Sequence, residues 1–433
     1  MKKWICFSIL VLTLSCKENV EETYLTPEKA KEYFMRIEDL CNRDSGKLWG
    51  KNLYGPVMFV DRASRKITAD KPDDEGLLKF KDGVYTGIYP RESIIGTTAV
   101  EFGGTLYAMV PLPAGEDSYR ITSRAIHSLF HVFQQSNGIG STSFNATNMD
   151  EKEARIWIKL EWKALRKAIN STGEEQLLAI RDALIFRGSN RETYPEFASI
   201  ENQFEAYEGL ATFTYTLFEA QSPEEYKTRL LSYLDTRYAL PSYARSFGNI
   251  HGALYATLLY YKGFDFKTIV SDKIDLGNMV KELYNIKLPQ VCRDVAGSIS
   301  ISYNLDEIMK EEEIRKLEID ESLKKQLSDF TERPVVYLEL ESPYFDFEPE
   351  DVHPLDTLGT IYSSMRVSDN WGKLTVDGVG CLVSNNYKFM RITARGFKSE
   401  KNNFYGVGWQ LTLNDGWEMA EVDQNYYVRK LIP

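Results

Sequence analysis

Arg124-Ala125-Ile126-His127-Ser128-Leu129-Phe130-His131-Val132-Phe133-Gln134-Gln135 carries two of the four histidines of the chain, spaced i and i+4. An α-helix places such residues on one face, about one turn apart. Two imidazoles so placed can hold one metal ion between them. The spacing therefore predicts a helix, over about 118–135, closed by Asn137-Gly138. The rest of the chain is read outward from it.

Upstream, β-like runs at 97–102 and 105–110 flank Gly103-Gly104, which reads as a hairpin turn. A further run lies at 54–60. Before it, 26–42 reads as a helix, with Thr26 as N-cap, Pro27 at the first helical position and Tyr33, Phe34, Ile37 and Leu40 on one face. Downstream, helices are expected at 150–169, 174–186, 200–220, 224–235 and 250–261, a helical bundle. The highly charged stretch 306–330 reads as a solvated helix or connector. From 334 the pattern becomes short, alternating and punctuated by glycine and asparagine. Runs at 335–340, 360–367, 373–376, 388–393 and 409–413 predict an antiparallel β module, a small sandwich or barrel.

The fold class expected is thus α+β. A small N-terminal sheet and a helical bundle precede the β module. The segments are 1–15 (leader), 16–115 (first helix and small β lobe), 116–305 (helical domain), 306–333 (connector) and 334–433 (β module). With 433 residues, of which 43% are hydrophobic, the chain can build two or three cores. The formal charge of −11 argues against nucleic-acid binding. There is no phosphate-binding glycine loop, dinucleotide fingerprint, nucleophile elbow or paired C-x-x-C, so no organic cofactor is expected.

The leader Met1-Lys2-Lys3, the apolar run to Leu14 and Ser15-Cys16 resemble a bacterial lipoprotein signal peptide, of the relaxed kind in Bacteroidetes-like lipoproteins, since Thr13 and Leu14 depart from the usual pattern. The resemblance implies lipidation at Cys16 and a membrane partner through that lipid. Lys17-Glu18-Asn19-Val20-Glu21-Glu22 resembles the acidic tether of outer-membrane lipoproteins exposed at the cell surface. Loss of Lys2 and Lys3 with the leader takes the formal charge from −11 to −13. Cys41, Cys292 and Cys381 remain, and buried free thiols are expected.

His127-Ser128-Leu129-Phe130-His131 has the spacing of the zinc motif H-E-x-x-H, with Ser128 at the position of the glutamate. Tyr207-Glu208-Gly209-Leu210-Ala211 resembles the helix that supplies the third zinc ligand in gluzincin metallopeptidases. Tyr207 stands where that family has asparagine, and the 76 residues between His131 and Glu208 make a longer linker than usual. Leu53-Tyr54-Gly55-Pro56, His131-Val132-Phe133-Gln134, Arg155 through Leu160-Glu161-Trp162-Lys163-Ala164-Leu165 and Glu208-Gly209-Leu210-Ala211 are similar to a family of bacterial zincin-like proteins.

What the resemblance implies is a zincin-like bundle holding zinc on His127, His131 and Glu208. The glycine and alanine of the second motif are expected to let its helix approach the histidine helix closely. A serine cannot do the work of the missing base, whose loss costs about 10²–10⁴ in rate. Glu205, one turn before Glu208, is the candidate replacement. His251 is either an oxyanion donor or a hydrogen-bonded core residue. Glu161 reads as a salt bridge or helix contact. Three functions follow: a pseudopeptidase lipoprotein that binds a peptide, glycan or protein; an active metallopeptidase with a relocated base; and a structural lipoprotein without metal.

Overall fold

Thr26 accepts a hydrogen bond from the Lys29 N–H (3.3 Å) and Pro27 opens the helix, so α1 (Pro27–Asp44) starts where its capping residues place it. The computed structural model describes residues 25–62, 64–91, 93–112, 118–140, 146–271, 273–347, 352–355 and 358–431. The leader, Cys16 and the acidic tether lie outside the described residues.

The apolar face of α1 lies on a six-stranded sheet, where Phe34 stacks on Phe59 with ring centroids 4.9 Å apart. The strands are β1 (Val57–Asp61), β2 (Lys66–Ala69), β3 (Lys79–Lys81), β4 (Val84–Ile88), β5 (Thr98–Phe102) and β6 (Thr105–Leu112), in the order β3-β4-β2-β1-β6-β5. β5 and β6 form the expected hairpin. Gly103 and Gly104 both have positive φ (57° and 78°), as a two-residue type I′ turn requires. The sequence pattern does not mark β2, β3 and β4, which are only three to five residues long. Lys79-Phe80-Lys81 is wholly exposed and has no buried face to leave a pattern.

The helices follow: α2 (Ser118–Ser136), α3 (Lys152–Asn170), α4 (Gly173–Thr193), α5 (Ala198–Phe204), α6 (Leu210–Glu219), α7 (Pro223–Tyr238), α8 (Phe247–Tyr261), α9 (Leu276–Leu283), α10 (Arg293–Ser300) and α11 (Leu305–Thr331). The single helix expected at 200–220 is α5 and α6 joined through a π-helical turn, Glu205–Gly209. One hydrophobic core holds α1, one face of the sheet and the helical bundle, so residues on both sides of position 115 share it.

The charged stretch is a helix, and most of it is solvated as expected, but Ile308 and Glu312 on one face of its first half are buried. Glu312 is fully buried and meets Arg155 (2.9 Å), Lys159 (2.9 Å) and Arg315 (2.5 Å). A few of its charges, Glu307, Glu311, Glu312 and Glu313, pair with α3 and dock the helix on it. A buried carboxylate is tolerated there because three cations surround it.

After α11 the chain forms a sandwich-like module of two antiparallel-rich sheets, seven- and six-stranded, packed over one core. The run expected as one strand at 360–367 is two. Gly359–Tyr362 belongs to the seven-stranded sheet and Met365–Asp369 to the other, with the chain crossing between layers at Ser363-Ser364. The protein is therefore α+β, with the β module at its C-terminal end. Cys41, Cys292 and Cys381 are free and buried. Among the described residues no helix is long and apolar enough to cross a membrane.

Candidate metal centre

α2 projects His127 and His131 from one face, and their rings meet edge to face with centroids 4.5 Å apart. Glu208 comes from the π turn, where one extra residue per turn shifts the register of the side chains. His127 Nε2 lies 2.9 Å from His131 Nε2 and 3.1 Å from Glu208 Oε2, and His131 Nε2 lies 3.8 Å from Glu208 Oε1. Two atoms bound at up to about 2.2 Å from one ion must lie within about 4.4 Å of each other. Each separation satisfies that limit, the two to Glu208 being to different oxygens of its carboxylate. Residues separated by most of the helical bundle in sequence thus bring their ligand atoms within 4.8 Å of one another.

Gln134 links the two elements. Its Nε2 donates to Ala206 O (3.1 Å) and Tyr207 O (3.2 Å) in the π turn. That arrangement turns its Oε1 toward His131 Nδ1, 2.8 Å away. Nδ1 must then carry the proton, and Nε2 keeps a lone pair aimed at the cluster. Tyr207 lies flat on the His131 ring (4.2 Å, 11°), and Asn249 of α8 donates to Glu208 Oε2 (3.1 Å). Burial, with the adjacent His127 ring, pushes the His131 pKa down to about 4, which leaves the imidazole neutral near pH 7, the form that ligates metal. Burial raises the Glu208 pKa, but the histidines and Asn249 outweigh it and hold the carboxyl at about 2. The set is two imidazoles and one carboxylate, a donor set suited to zinc.

Ser128 is fully buried, and its hydroxyl donates to Met109 O on β6 (2.9 Å). It is a helix–sheet contact. Glu205 does not substitute for a base. Arg187 holds both its oxygens, at 2.7 and 2.8 Å, and it is completely buried. The π turn directs Glu205 and Glu208 to different partners, Arg187 and His127. His251 sits in the same interior network, 2.7 Å from Glu161 Oε1, to which Tyr255 also donates (2.5 Å). It is a core residue, and Glu161 is the expected helix contact. The small residue of the second motif also works differently from expectation. A Cβ on Gly209 would meet Gly252 Cα at 2.5 Å and Gly248 O at 2.8 Å, so this glycine admits α8, not α2.

A cleft of about 820 Å³ opens over the cluster, with His127 and Glu208 in its lining. Arg120 and Arg124 from α2 and Arg229 and Arg237 from α7 also line it. Gln134, Asn249 and these arginines were not marked by the sequence as site residues. Gln134 closes the stretch His131-Val132-Phe133-Gln134, one helical turn after His131, and Arg120 and Arg124 share the face of the histidines. No family model, curated protein or solved structure matches this chain.

Proposed function

We propose that this protein is a cell-envelope lipoprotein whose helical domain holds one zinc ion on His127, His131 and Glu208, and that it binds its ligand without hydrolysing it. The observation that carries this reading is the convergence of the three donor atoms, with Gln134 fixing the tautomer that coordination needs. A zinc ion there would polarise a ligand carbonyl. This chain's residues would orient that carbonyl in the cleft. No carboxylate other than Glu208 is present among the described residues lining the cleft, and Ser128 is turned to the sheet. Proton transfer from an attacking water therefore lacks its acceptor.

Metal analysis of the purified chain tests this. The expected result is about one zinc per chain, lost in His131→Ala, with no peptidase activity above background. Robust chelator-sensitive hydrolysis would favour an active peptidase, the second reading. A wild type that takes up no zinc in excess metal would leave a structural lipoprotein. The envelope anchor is tested separately. Cys16→Ala should release the protein from membranes or block its processing; unchanged fractionation would count against lipidation.

A further inference from the structure

The lining of the cleft is richer in arginine than the chain as a whole. The protein is acidic, at −11, yet among the described residues lining the cleft four are arginines and one, Glu208, is an acid. The arginines come from two helices, α2 and α7. On α2, Arg120, Arg124, His127 and His131 occupy positions i, i+4, i+7 and i+11, a single stripe running to the cluster. On α7, Arg229 and Arg237 are two turns apart. Arg229 is held by Glu225 (2.7 Å), and the Arg237 guanidinium lies 4.6 Å from the centre of the Tyr233 ring.

The floor carries a second, independent observation. Thr212 lies one turn after Glu208 on α6 and is 1% exposed. Its Oγ1 has no hydrogen-bond partner among the described residues. Thr214 and Thr216 on the same helix satisfy their hydroxyls on the carbonyl four residues back (2.7 and 2.8 Å). A buried polar group without a partner is costly, and a ligand group in the cleft would relieve it.

We infer that the cleft selects a peptide bearing a carboxylate, which the arginine walls hold while a neighbouring group lies at the His127–His131–Glu208 cluster. The choice of a peptide rests on the peptidase-like reading of that cluster; the choice of an anion does not. Arginine is suited to the task because its planar fork takes a carboxylate through two parallel hydrogen bonds. The spacing follows from helix geometry. Arg124 and Arg120 precede His127 by about 4.5 and 10.5 Å along α2. An extended peptide advances about 3.3–3.6 Å per residue. The carboxylate therefore lies about one to three residues from the group at the cluster. It belongs either to an Asp or Glu side chain or to the C-terminus.

The test is fluorescence anisotropy on the zinc-supplemented full-length chain with four dye-labelled hexapeptides. One is acidic with an amidated C-terminus, one neutral with a free C-terminus, one neutral and amidated, and one basic and amidated. The acidic or the free-C-terminus peptide should bind at least about tenfold more tightly than the neutral amidated one, the size of one charge-assisted hydrogen bond. Whichever of the two does so identifies the source of the carboxylate. Arg120→Gln, at an exposed position, and Arg237→Gln should each reduce that preference without changing zinc content. Equal binding of all four peptides, no binding, preference for the basic peptide, or full preference retained in both variants would overturn the inference. So would displacement of the acidic peptide by low-millimolar inorganic phosphate or sulfate, which would assign the walls to a phosphate or sulfate ester. Zinc content is read on the same samples. Acid preference without zinc would remove the proposed metal and keep this inference, whereas zinc without acid preference would do the reverse.

Discussion

Gln134 does two things with one amide, and both depend on its orientation. Its NH₂ group caps two carbonyls of the π turn, and its oxygen holds the His131 Nδ1 proton. Gln134→Leu should remove both and leave the Ala206 and Tyr207 carbonyls without that donor. Zinc affinity, measured by competition with a chromophoric chelator, is expected to fall by about 10–100-fold, the usual cost of losing such a supporting bond. Stoichiometry at saturating zinc should stay at one. An unchanged affinity would mean that His131 is positioned by packing under Tyr207 alone. Ser128 shows how far a residue type can mislead. Its place in the motif pointed to missing chemistry, while its hydroxyl ties α2 to β6.

At the scale of elements, the π turn and its crossing with α8 set where Glu208 points. Gly209 and Gly252 face each other so closely that a Cβ on Gly252 would meet Glu205 O at 2.5 Å and Gly209 Cα at 2.9 Å. Both obstacles are backbone, so no side chain can swing away to make room. Gly252→Ala should therefore push α8 from the π turn and cost about 1–3 kcal/mol in denaturant unfolding, the usual penalty of overpacking. Asn249, on the same helix, would move with it and release its bond to Glu208. Weaker zinc binding is the second expected readout. A variant as stable as the wild type would show that the two helices have slack the structure does not suggest.

For the whole molecule, the critical joint is α11, which leaves the helical bundle and enters the β module. Its first half is pinned by Glu312 beneath Arg155, Lys159 and Arg315, and its far end by Phe330 in a small core with Leu355, Ile361 and Leu382. Between those anchors Ile314, Leu317 and Leu327 are exposed. Limited proteolysis should therefore cut between about 317 and 329 and release a protected β module. Glu312→Ala strands the buried cations and is expected to cost about 3–5 kcal/mol and to move cleavage toward the start of α11. The same group makes stability acid-sensitive. Burial raises the pKa of Glu312, but Arg155, Arg315 and Lys159 outweigh it and hold the carboxyl below its ordinary value. Asp275 is likewise held low by Arg187 and Arg191 against burial. A carboxylate lowered in the folded state contributes its full stability above its unfolded pKa of about 4, and loses that contribution as the pH falls through the lower folded value. Unfolding temperature of the metal-free chain should begin to fall below about pH 6.5, where His131 takes up its proton only on unfolding, and fall further below about pH 4 as the carboxylates lose their contribution. Glu312→Gln should flatten part of that fall; an identical profile in this variant would place the acid sensitivity elsewhere.

Periodicity, caps and turn residues were enough to read the α+β class, the hairpin at Gly103-Gly104, the histidine helix and the start of α1, because each depends on contacts within a few residues. The pairing of His127 and His131 was legible for the same reason, since helix geometry alone brings them together. Glu208 was named from a resemblance, and nothing local to it specifies where its side chain goes. Only the tertiary structure decided that. A π turn cannot be told from an α turn by apolar spacing, and the glycine pair that seats it lies on two helices distant in sequence. The roles of Glu205 and α11 were settled in the same way. A buried carboxylate and a solvated one have the same letter, and what separates them is the cation that folding brings across from another helix: Arg187 for Glu205 and Arg155 for Glu312.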